Sequence, residues 1–252
     1  MKALIFAAGL GTRLRPLTDS CPKALVEVGG EPILGRVIRS VVRAGATSVT
    51  VNVHHFAPMV TDWLSSHDFG VSVRISNEST LLLDTGGGLL KARPMLDDGS
   101  GEPILIHNAD ILTDAPLRQL AEGHRASGSD VTLMVSPRQS SRALLFDSAM
   151  NLAGWLNRAS GQTIPEDIRP ADFTELAFSG VHVVSPRVFP ALAQYAESSG
   201  PVFPIVPFYL SMIGRMTMRG WIQPKETAWF DIGRPESLMR ARQYVENQSN
   251  LL

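Results

Sequence analysis

The chain has a single cysteine, Cys21, among its 252 residues. One thiol forms neither an internal disulfide nor a cysteine-based zinc site, so a reducing, cytoplasmic setting is the expectation. A dominant charge is missing too: 23 Lys and Arg against 24 Asp and Glu leave a formal net charge of −1. Without a global positive field, neither nucleic acid nor a membrane surface is expected as a partner. Nor is there a long hydrophobic run. The opening MKALIFAAGLGTRLRP is broken by glycines and arginines, far short of the roughly 18 apolar residues of a membrane span.

What is present suits a packed core. Hydrophobic residues make up 44% of the chain and charged residues 19%, which argues against a disordered polymer. Apolar runs at 2–8, 48–53, 71–76, 103–107 and 131–136 read as strands. Helical patterns at 32–45, 58–66 and 116–127 separate most of them, and a short helix is expected through Lys91, after the glycines 86–88. Uniformly apolar strands alternating with helices predict a doubly wound, mainly parallel α/β sheet covered on both faces. The second half is less regular. A hairpin at 144–155, a polar excursion at 156–172, strands at 177–184 and 216–222, and helices at 204–213 and 235–247 are expected. One domain over 1–252 with two lobes is the simplest organisation.

Ligands of such sheets bind beyond the carboxyl ends of the strands, which points to the loop GLGTRLRPLTDSCPK, Gly9 to Lys23. Gly9 and Gly11 lack a Cβ, so the backbone can approach an anion and offer it N–H donors. It is not a dinucleotide fingerprint, because Leu14 occupies the third glycine position, and no Gly-Lys-Ser/Thr follows to make a P-loop. Arg13, Arg15 and Lys23 supply cations beside Thr12 and Thr18. Like charges about 4 Å apart repel by roughly 4 kcal/mol at an effective dielectric of about 20, so juxtaposed phosphates need such cations. A surface turn with solvated basic side chains fits the spacing equally well.

Asp110 follows the strand PILIHN, and Asp231 sits in WFDIGRPESL before a helix opened by Pro235. Magnesium takes one or two carboxylates plus phosphate oxygens and water, so the pair suffices if the fold brings it together. Taken singly, each also reads as a turn or N-cap aspartate. The adjacent His54 and His55 follow a strand and point to opposite sides, which disfavours a shared metal site.

The run Gly9 to Thr18, followed by Pro22-Lys23-Ala24-Leu25-Val26 and Pro32, resembles the signature of the sugar-1-phosphate nucleotidyltransferases. Asn108-Ala109-Asp110 is similar to that family's Asn-Gly-Asp, with Ala109 replacing the usual glycine. Trp229-Phe230-Asp231-Ile232-Gly233 is similar to its Trp-x-Asp-x-Gly, and Thr85-Gly86-Gly87-Gly88 with Phe178-Ser179-Gly180 to its N-acetylmuramate-1-phosphate uridylyltransferase branch. Mannose-1-phosphate guanylyltransferases share much of this pattern. The resemblance implies a Rossmann-like fold of the nucleotide-diphospho-sugar transferase type, with a mixed, mainly parallel sheet and a smaller sugar-binding lobe. Residues to about 110 would serve the nucleotide and 111–252 the sugar phosphate.

The implied activity is Mg2+-dependent transfer of a nucleoside monophosphate to a sugar 1-phosphate, with UTP favoured and GTP or dTTP as alternatives. A monomer or homodimer is expected, and a non-catalytic nucleotide sensor is the rival. The resemblance implies catalytic roles for Arg13, Lys23 and Asp110, and metal binding by Asp110 and Asp231. It implies nucleotide contacts from Ala8, Gly9, Gly11, Thr12, Arg13, Lys23, Glu78, Gly86 and Gly87. Asn108, Asn157, Glu175 and Gly180 are the sugar-side candidates.

Overall fold

The computed structural model describes residues 1–249. Strand β1 (Lys2–Phe6) buries Ala3, Leu4 and Ile5 completely. Ala3 and Ile5 join one core cluster and Leu4 the other, the alternation of a strand covered on both faces. Beyond the glycine-rich loop, the ribbon β2 (Glu27–Val28) and β3 (Glu31–Pro32) feeds helix α1 (Ile33–Arg43). Its Leu34, Val37, Ile38 and Val41 form the buried stripe, and Gly45, at φ +100°, turns the chain into β4 (Ser48–Val53).

Helix α2 (Ala57–Ser65), β5 (Ser72–Asn77), α3 (Asp84–Leu96), β6 (Ile104–Asn108), β7 (Ile111–Thr113), α4 (Leu117–Ser127) and β8 (Val131–Ser136) complete the first half. The rest comprises β9 (Arg142–Phe146), β10 (Leu152–Asn157), β11 (Thr163–Ile164), β12 (Thr174–Val184), α5 (Phe189–Ser199), α6 (Ile205–Ser211), β13 (Met218–Ile222), β14 (Trp229–Asp231) and α7 (Pro235–Ser249).

The central sheet has ten strands among the described residues. Strands β6, β1, β4 and β5 run parallel, in that order. Strand β12 lies antiparallel to β6, β8 and β9, and β9, β10 and β11 extend it as an antiparallel wing. Strand β13 joins β8 in parallel. The expected α/β architecture is therefore present, with a mixed sheet. No helix of the described residues is long and apolar enough to cross a membrane.

Besides the short strands β2, β3, β7 and β14, which the sequence pattern leaves unassigned, three elements differ from expectation. The hairpin gains β11, drawn from the polar excursion. Helix α5 is absent from the sequence reading: among its residues only Phe189 and Leu192 are buried, too sparse a stripe to register as helical periodicity. Helix α3 starts before the glycine cluster and absorbs it. Glycine weakens a helix interior, yet close packing requires it here. A Cβ added at Gly86 would lie 2.3 Å from the Phe203 ring, and one at Gly87 2.1 Å from the Pro201 carbonyl.

Candidate active site

The parallel pairing of β1 with β6 sets Phe6 opposite Asn108, so the loops that follow the two strands emerge side by side. Between them opens a cleft of about 520 Å³, lined by the loop from Ala8 to Arg13, by Lys23, and by Asn108 and Asp110. Gly11 takes φ +66°, a left-handed turn that suits glycine, and its carbonyl accepts a 2.8 Å hydrogen bond from the Thr18 hydroxyl. A Cβ there would press on Thr18 and Lys23, whereas Gly9 has open space beside it. Asn52, a polar residue inside a buried strand, accepts at Oδ1 from the Ala7 N–H at 2.7 Å and so anchors the start of the loop.

The two aspartates, remote in sequence, meet through a small antiparallel ribbon. Strand β14 pairs with β7, setting Asp231 opposite Ile111, and the Ile232 N–H donates to the Asp110 carbonyl at 2.9 Å. Lys23 Nζ bonds Asp110 Oδ2, and Arg13 Nη2 lies 3.9 Å from Asp231 Oδ2. Gly233 explains how four charged side chains share so small a space. A Cβ there would lie 2.7 Å from Arg13 Nη2, 2.8 Å from Asp231 Oδ1 and 2.8 Å from Lys23 Nζ. Its role went unassigned in the sequence reading, although it closes the Trp-x-Asp-x-Gly motif. Among the described residues no group of three His, Cys, Asp or Glu side chains could form an all-protein metal cage. Asp110 at the cleft, with the Asp231 carboxylate beside Gly233 of the lining, is a donor set that fits a magnesium ion completed by phosphate oxygens and water.

Asn108 lines the cleft, and Gly180, at φ +75°, passes beneath it: a Cβ there would come within 3.0 Å of Asn108 Nδ2. Ala109 is buried and donates its N–H to the Phe6 carbonyl at 2.9 Å.

The other candidates sit in different surroundings. Glu78 is fully buried behind the cleft lining; Oε1 accepts from Asn52 Nδ2 at 2.9 Å and Oε2 from the Leu83 N–H at 3.0 Å. Gly86 and Gly87 are covered by Pro201 to Phe203, and both N–H groups turn to the Phe203 carbonyl, so the flat ring on this backbone is the protein's own. Asp84 and Thr85 line the cleft instead.

Asn157 and Glu175 are brought neither to the cleft lining nor to one another. Glu175 and Gly154 both pair with Leu145, while Asn157 pairs with Arg142, in the alternate set of rows. Alternation therefore puts the two on opposite faces of the wing. The Glu175 carboxylate is engaged by Arg158 at 2.8 Å, and Asn157 Oδ1 accepts from the Ala159 N–H at 3.0 Å. Cys21 has its thiol pKa raised, first by burial and then by Glu27, which keeps it protonated. Burial drives the His107 pKa down to about 4, so this neighbour of Asn108 is neutral.

A model of the nucleotidyl transferase family matches residues 2–248. An N-acetylmuramate alpha-1-phosphate uridylyltransferase of Caulobacter vibrioides is 30% identical over 251 residues, covering 95% of this chain and 94% of its own. A probable mannose-1-phosphate guanylyltransferase 1 of rice, Oryza sativa subsp. japonica, is 36% identical over 137 residues; the match spans 54% of this chain but only 38% of that protein's length. In fold, the chain is similar to a UDP-glucose pyrophosphorylase from Acinetobacter baumanii, with TM-score 0.77 at 17% identity, covering 96% of this chain and 92% of the other. With a family model spanning nearly its whole length and a relative aligned end to end, the chain belongs to the nucleotidyl transferase family, among the sugar-1-phosphate nucleotidyltransferases.

Proposed function

We propose that the chain is a magnesium-dependent sugar-1-phosphate nucleotidyltransferase that moves a nucleoside monophosphate from UTP to N-acetylmuramate 1-phosphate or a similar hexose 1-phosphate, in a cytoplasmic setting and as a monomer or homodimer. The reading rests above all on the convergence of Asp110 and Asp231 beside Arg13 and Lys23. The uridylyl preference is supported by the end-to-end match to the Caulobacter vibrioides relative. The partial match to mannose-1-phosphate guanylyltransferases makes GTP with mannose 1-phosphate the second reading. Residues to about 110 would serve the nucleotide and those beyond it the sugar phosphate.

The reaction is direct displacement. A phosphate oxygen of the sugar 1-phosphate attacks the α-phosphorus in line, a new P–O bond forms, and the bond from the α-phosphorus to the bridging oxygen breaks. Pyrophosphate leaves with that electron pair. The attacking oxygen is already ionised, so no general base is needed, and the protein's task is to position and neutralise. Magnesium held by Asp110 and Asp231 would supply charge neutralisation at the α-phosphate. Lys23 holds the phosphates near the reacting centre, while Arg13 and the N–H groups of Gly9, Gly11 and Thr12 take the departing pyrophosphate. Asn108, braced by Gly180, faces the sugar.

In the free protein Lys23 and Arg13 rest on the two carboxylates. On substrate loading these partners would exchange: Asp110 and Asp231 would hold the metal, and Lys23 and Arg13 the phosphates. The test is pyrophosphate release with UTP, GTP, dTTP and ATP against N-acetylmuramate, mannose and glucose 1-phosphates. UTP with N-acetylmuramate 1-phosphate is expected to turn over fastest. Nucleotide binding without release from any pair would favour a sensor and overturn the enzymatic reading.

A further inference from the structure

Strand β12 does not run straight past the site. It pairs with β8 at Phe178 opposite Val135 and resumes at His182 opposite Leu133, so four steps on β12 answer two on β8. The surplus forms a bulge carrying Ser179, Gly180 and Val181, and this bulge places Gly180, at φ +75°, under Asn108. Side chains from outside the strand hold it. Arg138 Nη2 donates to the Phe178 carbonyl at 2.6 Å, Trp229 Nε1 donates to the Ser179 carbonyl at 2.9 Å, and the Ser179 hydroxyl donates to Gln223 Oε1 at 3.0 Å. The Arg138 guanidinium also stacks on the Trp229 ring, 3.9 Å from its centroid. Trp229 lies on β14, the strand that delivers Asp231.

A guanidinium is an expensive group to enclose without a carboxylate partner. Among the described residues Arg138 has none within salt-bridge distance, and its buried Nη1 has no hydrogen-bond partner there; burial lowers its pKa while the charge of Asp231 opposes that. Stacking and carbonyl bonding together favour arginine over lysine, whose ammonium has no flat face.

We propose that Arg138 is a positioning residue of the transfer reaction, tying the strand that carries Asp231 to the bulge that supports Asn108 and so fixing the sugar side of the cleft relative to its metal side. This rests on the reading of Asn108 and Gly180 as the sugar side. Misplacing reacting groups by about 1 Å can cost on the order of 100-fold, and the loss falls on the substrate whose support has moved. The glycine-rich loop has no contact with Arg138 among its hydrogen bonds, ion pairs and ring contacts, so triphosphate binding is left intact.

The experiment compares Arg138→Met and Arg138→Lys with the unmodified protein, measuring KM for N-acetylmuramate 1-phosphate and for UTP separately, with thermal unfolding alongside. For Arg138→Met the sugar-phosphate KM rises about 10-fold or more while the UTP KM stays within about 2-fold; Arg138→Lys recovers only a minor part of the loss. If the methionine variant does not fold, Trp229→Phe keeps the ring and removes the N–H to Ser179, and shows the same split at smaller size. A folded variant whose two KM values move together, or in which neither moves, overturns the proposal. Asn108→Ala separates the two readings. If it leaves the sugar-phosphate KM unchanged, the sugar-side assignment itself fails; if it raises that KM while Arg138→Met does not, only the role of Arg138 fails.

Discussion

The two sides of the cleft are built differently. On one side, parallel strands β1 and β6 end together, and the loops that follow them bring Gly9, Arg13, Lys23 and Asp110 to the cleft. On the other side, Gly180 reaches Asn108 only because β12 breaks register, and the break is held by side chains from positions 138, 223 and 229. The first side is set by loops at strand ends and by the β7–β14 pairing that brings in Asp231, the second by a broken register and the side chains that brace it. Damage to the first should appear as lost chemistry, and damage to the second as a misplaced acceptor.

The largest expected effect tests the first side. Lys23→Ala removes a charged hydrogen-bonding group worth roughly 1.5–3 kcal/mol, so turnover should fall about 10- to 150-fold or more; full activity would end its assigned role. Asp231→Asn should shift the magnesium titration of pyrophosphate release to higher concentration while the unfolding temperature barely moves. An unchanged titration would remove Asp231 from the metal site.

A smaller effect is expected from the second side. Gly180→Ala places a methyl group at φ +75° and 3.0 Å from Asn108 Nδ2. The sugar-phosphate KM should rise about 10-fold with the triphosphate KM little changed, and equal changes in both would erase the distinction.

Acid probes the seam where the two regions join. His107 on β6 lies opposite Val181, and His182 on β12 opposite Ile106. Burial lowers their pKa values to about 4 and about 3. Unfolded histidine takes a proton near pH 6.5 while these folded ones stay neutral, so below that pH the unfolded chain binds more protons and stability falls. Thermal unfolding should drop steadily between pH 6.5 and 4, and His182→Leu should flatten the slope. The smallest effect belongs to Asn157→Ala and Glu175→Gln, which should alter either KM by less than about 2-fold; a large change would return the wing to the sugar site.

The same contrast decides what a sequence can disclose. The glycine loop, Asn108 to Asp110 and the Trp-x-Asp-x-Gly run are contiguous words whose chemistry is local, and the alternation of apolar strands with helices gives the sheet. Whether Asp110 and Asp231 meet depends on the β7–β14 ribbon, a non-local pairing of three residues with no periodic signal. That Asn157 and Glu175 take opposite faces of the wing follows from strand register, which composition does not encode. The burial of Glu78 is equally hidden, because a polar residue before a glycine cluster looks exposed until Asn52 and Leu83 claim its oxygens. Arg138 follows Pro137 outside any motif, so only the carbonyl and ring it touches reveal it.

The resting contacts between Lys23 and Asp110 and between Arg13 and Asp231 also bear on how the protein survives without substrate. Opposite charges crowded around Gly233 cancel in the ligand-free chain, so it avoids the repulsion that a bare nest of phosphate-binding cations would create. Deleting Lys23 or Asp110 alone strands its largely buried counterpart, whereas deleting both restores the balance. Lys23 and Asp110 therefore hold each other's charge in check before they ever meet a nucleotide.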